Sequence, residues 1–242
     1  MSIVKNLALS TLDTIARSCQ LKEVGSAAEP HKTLRSPMSP EPVGAARLFE
    51  GQQGERMVYI GMTVPMIHLD SHMVFCFTGP ESVVPHFTVD AVHAGDHYAF
   101  HLDLIPRLDL AVNVAYMRCA YEALNAPHAQ AKAIPGLSPA QLAPMQLAVM
   151  SPWMLAHRAT ETSMDAVGQV CGSYLDHWLA LKKDGLREVS DKLGQDLAKR
   201  DLWHRSVLFS PEVDPVWRQV ERLLGAPASE DLRSLLMAQT RV

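Results

Sequence analysis

The chain has 242 residues, of which 48% are hydrophobic and 20% charged, the balance of an ordinary soluble globular protein. A formal net charge of −4 gives no electrostatic reason for a nucleic-acid partner, and no apolar run approaches the roughly 18–20 residues that cross a bilayer. The four cysteines, Cys19, Cys76, Cys119 and Cys171, lie far apart without a C-x-x-C pair, so no zinc, iron–sulfur or disulfide framework is evident.

Residues 1–25 place Leu7, Leu9, Leu12 and Ile15 at near-helical spacing and predict a short helix. A Pro-, Ser- and Ala-rich segment over residues 26–43 reads as extended surface chain joining that helix to the rest. Five strand-like runs follow: ARLFEG, ERMVYIGMTV, HMVFCFTG, VPHFTVDAV and HYAFHLDLI. Gly, Pro or Asp marks the breaks between them, which predicts a meandering antiparallel sheet with hairpin turns at GQQG and AGDH. Cys76, inside the run MVFCF, reads as a small core residue.

Beyond Pro106 the pattern changes. Residues 114–126 read as helix, and residues 127–144, with Pro127, Pro135, Pro139 and Pro144, read as loop with short helical pieces. From about residue 160 the pattern is helical to the end. Met164, Val167, Val170, Tyr174, Leu175, Trp178 and Leu181 follow the three-and-four spacing of an amphipathic helix. Ser210 and Ser229, each followed by acids, read as helix starts. Strands first and helices later indicate an α+β layered fold, and with no internal repeat or second core in sight the expectation is a single domain over 1–242.

The most informative stretch is VVPHFTVDAVHAGDHYAFHLDLIPRLDL, residues 83–110. In its first strand His86, Thr88 and Asp90 alternate with apolar residues, so they share one face, with His86 and Asp90 about 13 Å apart at roughly 3.3 Å per residue. A carboxyl in so apolar a frame needs a hydrogen-bond partner, or it holds a proton to a higher pH than usual. Aimed into a pocket, it is a proton donor. Six of the eleven histidines fall between residues 68 and 101, yet their spacing fits no metal site well, and His93, His97 and His101 read as solvent-face residues.

The pattern Pro85-x-Phe87-x-x-Asp90, followed by Asp103-Leu104-Ile105-Pro106, resembles the ferredoxin-dependent bilin reductases. The fuller string is most like the branch of red chlorophyll catabolite reductase. Near the C-terminus, Asp214-Pro215-Val216-Trp217-Arg218 leading to Leu223-Leu224-Gly225 is similar to the family's acid-Pro segment. The departures leave the substrate open: the catabolite reductases carry Glu at Asp90, and bilin reductases usually have a Gly near Thr88 and Val89.

The resemblance implies an α/β/α sandwich with a central antiparallel sheet. It implies a linear tetrapyrrole substrate, either a biliverdin-type bilin or red chlorophyll catabolite. Electrons arrive singly from reduced ferredoxin of the acidic [2Fe-2S] type, with no bound cofactor and no metal. Asp90 and Asp214 are then the proton donors. His86 and Thr88, on the face of Asp90, are candidate binding positions, His86 from that geometry since some family members have no His there; His72 is another, only after a one-residue shift of the alignment, and Arg158 and Arg218 are candidate cations for the pigment's propionates. Seven Lys/Arg against five Asp/Glu between residues 182 and 205 suggest a basic face for ferredoxin. A cytoplasmic monomer or homodimer is expected. The alternative is a non-catalytic tetrapyrrole carrier or scavenger on the same fold.

Overall fold

A computed structural model describes residues 2–186, 189 and 196–239. The first helix, α1 (Ile3–Ser18), starts where the Ser2 hydroxyl accepts the Lys5 amide at 3.2 Å, as Ser does at a helix N-terminus. Its buried stripe, Val4, Ala8, Thr11, Leu12 and Ile15, keeps the three-and-four spacing that turns one face inward.

Nine strands form one sheet. They are β1 (Lys22–Val24), β2 (Lys32–Arg35), β3 (Pro42–Glu50), β4 (Arg56–Val64), β5 (Leu69–Phe77), β6 (His86–Ala94), β7 (His97–Ile105), β8 (Ser138–Pro139) and β9 (Leu155–Ala159). Their spatial order is β1-β3-β4-β5-β6-β7-β9-β8, with β2 also on β3, and every pairing is antiparallel. The expected meander is therefore β3 to β7. The turn between β6 and β7 is a two-residue Gly95-Asp96 loop, with Gly95 at φ +60, a conformation that glycine adopts without steric cost. That loop pairs Ala94 with His97 and, by counting back, Asp90 with His101.

The remaining helices are α2 (Val114–Tyr121), α3 (Asn125–Lys132), α4 (Pro144–Val149), α5 (Met164–Asp184), α6 (Leu197–Leu208), α7 (Val216–Leu224) and α8 (Ala226–Met237). All seven apolar positions expected on the long helix are buried in α5. Trp178 among them is sealed from solvent and donates its indole N–H to the Pro85 carbonyl at 2.8 Å. The architecture is an α+β sandwich. On one face α1 and α5 cover Val74, Cys76, Phe87 and Val89. On the other, α6, α7 and α8 cover Ile60, Met62, Met73 and Phe77. The two apolar layers, one on each face of the sheet, are those of the sandwich that the resemblance implies.

Two helix starts differ from expectation. Ser210 lies in the turn after α6, and α7 begins six residues later at Val216. Ser229 is buried inside α8, which begins after Gly225; that glycine sits at φ +86 and breaks the chain between α7 and α8. In both cases the serine-plus-acid signal was local, while the start was set by Pro215 or Gly225. The short strands β1, β2, β8 and β9 carry too few residues for a legible alternation. Among the described residues no helix is long and apolar enough to cross a membrane.

Candidate active site

The even-numbered residues of β6 face the α6–α8 layer, since the odd ones, Phe87, Val89 and Ala91, pack under α1 and α5. β6 is paired on both sides, by β5 and β7. Asp90 is therefore a central-strand acid, not an edge acid washed by solvent. Its neighbours on the same face are Met73 of β5 and His101 of β7.

Above this floor lies a cavity of about 220 Å³. Its wall is mostly apolar, with four methionines, Met62, Met73, Met150 and Met154. Asp90 and His101 enter from the sheet, and Asp214 and Trp217 from the opposite wall. Among the described residues, eight buried side-chain atoms lack a hydrogen-bond partner, and three of them belong to this lining: Asp90 Oδ1, His101 Nε2 and Trp217 Nε1. Native proteins rarely leave such atoms unpaired. Their concentration around one apolar cavity marks it as a place for a ligand with polar edges.

The electrostatics follow from burial. The Asp90 carboxyl is pushed up to about 7, by desolvation first and by the nearby Asp214 charge second. Asp214 is also raised by burial, against bonds to its Oδ1 from the Val216 amide at 3.1 Å and the Gln146 side-chain amide at 3.2 Å. Asp214 thus both caps α7 and lines the cavity. His101 is pushed down to about 4 by burial and stays neutral at pH 7. The site thus offers two carboxyls held above the ordinary carboxylate range, facing each other across an apolar space, and Asp90 titrates near neutrality.

Asp103 lies one pleat along β7, fully buried, opposite Thr88. Burial raises it to about 7 even though it accepts the Ser151 amide at 2.9 Å and the Ser151 hydroxyl at 2.5 Å. These two bonds pin the segment that carries Met150 and Met154, so Asp103 holds one wall of the cavity in place.

The other expected positions fare differently. Thr88 is on the right face but fully buried, with its hydroxyl unpartnered beside Asp90, and it is not part of the cavity lining. His86 shares the face yet belongs to a separate buried cluster. Its Nδ1 accepts the Thr78 amide at 3.0 Å and its Nε2 donates to Asp201 Oδ1 at 2.6 Å. His72 is on the opposite face. It pairs with Ala91 across the strands, meets the Tyr59 hydroxyl at 2.7 Å and meets Asp70 at 2.8 Å. The one-residue shift that its assignment needed inverts the side chain, and Met73 occupies the cavity position instead.

Arg158 stands on the cavity face of β9, two residues beyond the lining residue Ala156, and is exposed. Arg218 is exposed on α7, whose inward positions are Trp217, Val220 and Leu224, and the structure does not bring it to the cavity. Residues missed from the sequence are His101, Gln146 and Trp217. His101 lines the cavity and is not a solvent-face histidine, and the AGDH turn fixes it opposite Asp90. Nothing local to Gln146 or Trp217 announced them, since only the tertiary fold brings those walls to the sheet.

No family model matches the sequence, and no curated protein does. A solved structure does. The chain superposes on the crystal structure of phytochromobilin synthase from tomato in complex with biliverdin, with a TM-score of 0.75. The match covers 96% of this chain and 82% of the tomato chain, at 18% sequence identity. The two proteins share a fold over nearly the whole of this chain.

Proposed function

We propose that this chain is a ferredoxin-dependent reductase of a linear tetrapyrrole. The observation that carries the reading is Asp90: a carboxyl with one oxygen unpartnered, poised to titrate near neutrality, on the central-strand floor of an apolar cavity. The fold likeness to a protein crystallised with biliverdin and the sequence resemblance around Asp90 and Asp214 both support it. The substrate class is a biliverdin-type bilin, with red chlorophyll catabolite as the narrower variant.

In this reading one double bond of the pigment gains two electrons and two protons. Reduced [2Fe-2S] ferredoxin supplies the electrons one at a time, and the chain holds no cofactor of its own. Asp90 gives its proton from the sheet side, and Asp214 gives the second from the helix side. Both carboxyls then recover protons from solvent. Its raised proton affinity keeps a substantial fraction of Asp90 in the neutral, proton-bearing form near pH 7, and burial shifts Asp214 in the same direction.

The cavity is smaller than the roughly 300–1,000 Å³ usual for drug-sized ligands. A tetrapyrrole therefore requires the wall to yield. Met150, Met154 and the α4 residue Gln146 supply a soft, unbranched boundary that suits such an adjustment. The basic run proposed for ferredoxin lies partly outside the described residues, at 187, 188 and 190–195. Two of its charges, Asp201 and Arg205, are buried and so do not contribute to a docking face.

The test is an anaerobic absorbance time course with biliverdin, ferredoxin, ferredoxin reductase and NADPH. A red-shifted complex that converts to a blue-shifted product is expected. Asp90→Asn should still bind pigment while turnover falls at least about 100-fold, the usual effect of losing a positioned proton donor. Binding without turnover in the native chain would instead make it a carrier, and no spectral change would refute the tetrapyrrole reading.

A further inference from the structure

His101 takes no part in the proton donation proposed above, yet it has the features of a binding group. It is the cross-strand partner of Asp90 on the same sheet face, so the two side chains stand within about 5 Å at their Cβ atoms. It lines the cavity, and its Nε2 is closed to water with no partner. Of the other buried histidines of the sheet, His72 and His86 have both ring nitrogens engaged, and His157, whose Nδ1 is also unpaired, lies on the opposite face of β9 and outside the cavity lining. A neutral imidazole left unpaired costs stability in the free protein, and nothing in the surrounding fold uses it.

We propose that His101 is a ligand-binding residue whose Nε2 accepts an N–H of the bound pigment beside Asp90. The proposal rests on the tetrapyrrole reading and deepens it. A protonated carboxyl and a neutral imidazole side by side present one donor and one acceptor. That pair complements a ring amide, which offers a carbonyl oxygen and an N–H on adjacent atoms. Terminal lactam rings of linear tetrapyrroles have this arrangement, whereas a propionate, with no N–H, does not. His101 thereby selects which part of the pigment lies over Asp90, and with it which carbon receives the proton.

The test compares native protein, His101→Leu and His101→Gln by absorbance titration with biliverdin and by thermal unfolding without ligand. Because Nε2 is unpaired in the free protein, His101→Leu should unfold at the same temperature or higher. Its biliverdin affinity should drop about tenfold, the effect of one lost hydrogen bond to a buried ligand group. The red band of the remaining complex should shift as well. His101→Gln, which keeps an acceptor, should recover most of the affinity. A His101→Leu variant that binds biliverdin within twofold of the native protein overturns this assignment while leaving the reductase reading intact. So does one that loses stability in step with affinity and keeps the native spectrum. Native protein that fails to bind biliverdin overturns both.

Discussion

The start and the middle of β6 use the same chemistry to opposite purposes. At the start His86 sits with Asp201, Arg205 and Arg107 in a cluster sealed from solvent. In the middle, four residues along the same face, Asp90 sits with His101 in the cavity floor. Each place pairs a carboxyl with an imidazole. In the cluster, Asp201 accepts from His86 at 2.6 Å, Arg205 at 2.8 Å and Gln239 at 2.6 Å, and Arg205 also lies 3.8 Å over the Phe77 ring. In the floor, Asp90 Oδ1 and His101 Nε2 have no partner. The lesson is that burial of a polar residue does not distinguish structure from function; an unpartnered carboxyl or imidazole atom facing a cavity is the more telling sign. In the cluster both oxygens of the carboxylate and both ring nitrogens of His86 are engaged, although Nε of Arg107 and of Arg205 is not, and the cluster fastens α6 to the sheet; in the floor the carboxyl and the imidazole each keep an atom free at the cavity wall.

The sharpest way to break this contrast is to remove the carboxyl of the cluster. Asp201→Ala takes from His86 and Arg205 the carboxylate they share and leaves two buried guanidiniums without a counter-charge, although Arg107 keeps the Thr78, Gly79 and Pro80 carbonyls and Arg205 the Ala238 carbonyl. Loss of one partner of a buried charged group costs about 3–5 kcal/mol, so the midpoint of thermal unfolding should fall by roughly 10 °C or more for a chain of this size. Denaturant unfolding measures it. If Asp201→Ala is within about 1 kcal/mol of native, the cluster is not the fastening described. Asp90→Asn, which replaces a carboxyl that already holds much of its proton near neutrality, should leave stability at pH 7 unchanged or improved.

The pH dependence of stability sharpens the contrast further, because the two carboxyls have opposite signs. The donors around Asp201 hold its carboxyl well below the ordinary range near 3.9, so its contribution is present above pH 4 and lost as the pH falls below that. Asp90, raised to about 7, retains its proton in the folded state where the unfolded chain has already released it. Its contribution is complete below about pH 4 and is lost as the pH rises through 7. Native protein should therefore lose stability relative to Asp90→Asn between pH 4 and pH 7. The change should be about 2 kcal/mol, roughly half of what 1.36 kcal/mol per pH unit implies, since the carboxyl keeps some contact with the cavity. Paired denaturant titrations across that interval measure the difference, and a flat difference would place Asp90 in an ordinary solvated state.

Much of this contrast was legible in the sequence, and the reason is periodicity. The alternation in VPHFTVDAV put His86, Thr88 and Asp90 on one face, and the spacing from Met164 to Leu181 identified the helix that covers the other. The β6–β7 register was legible too, through the Gly95-Asp96 loop, although its consequence for His101 was not followed. What alternation does not contain is which partner arrives from afar. Asp201 lies 115 residues beyond His86, and only the packing of α6 brings it there to take His86 out of the site. Asp214 was found by its resemblance, and its place opposite Asp90 depends on how α7 docks. His72 shows the cost of a single-residue error in a strand, where the neighbour Met73 is the residue that reaches the cavity.

The smallest expected effect concerns the two arginines offered for the pigment's propionates, and it tests the same rule at the cavity rim. Arg158 lies on the cavity face of β9, in line with Ala156 and across from Ala99. Arg218 is on the outer side of α7, one residue past Trp217. Both are exposed, so a carboxylate paired with either remains largely solvated, and such pairs are worth about 0.2–1 kcal/mol. Arg158→Ala should weaken biliverdin binding about two- to fivefold, with the loss shrinking as salt is raised toward 1 M. Arg218→Ala should leave it unchanged at any salt. Equal effects from the two would mean that the pigment extends over α7, beyond the cavity mouth, and that the face of β9 does not set its orientation. An effect confined to Arg158 would fix the carboxylate end of the pigment on the sheet side, with its ring amides left to meet Asp90 and His101.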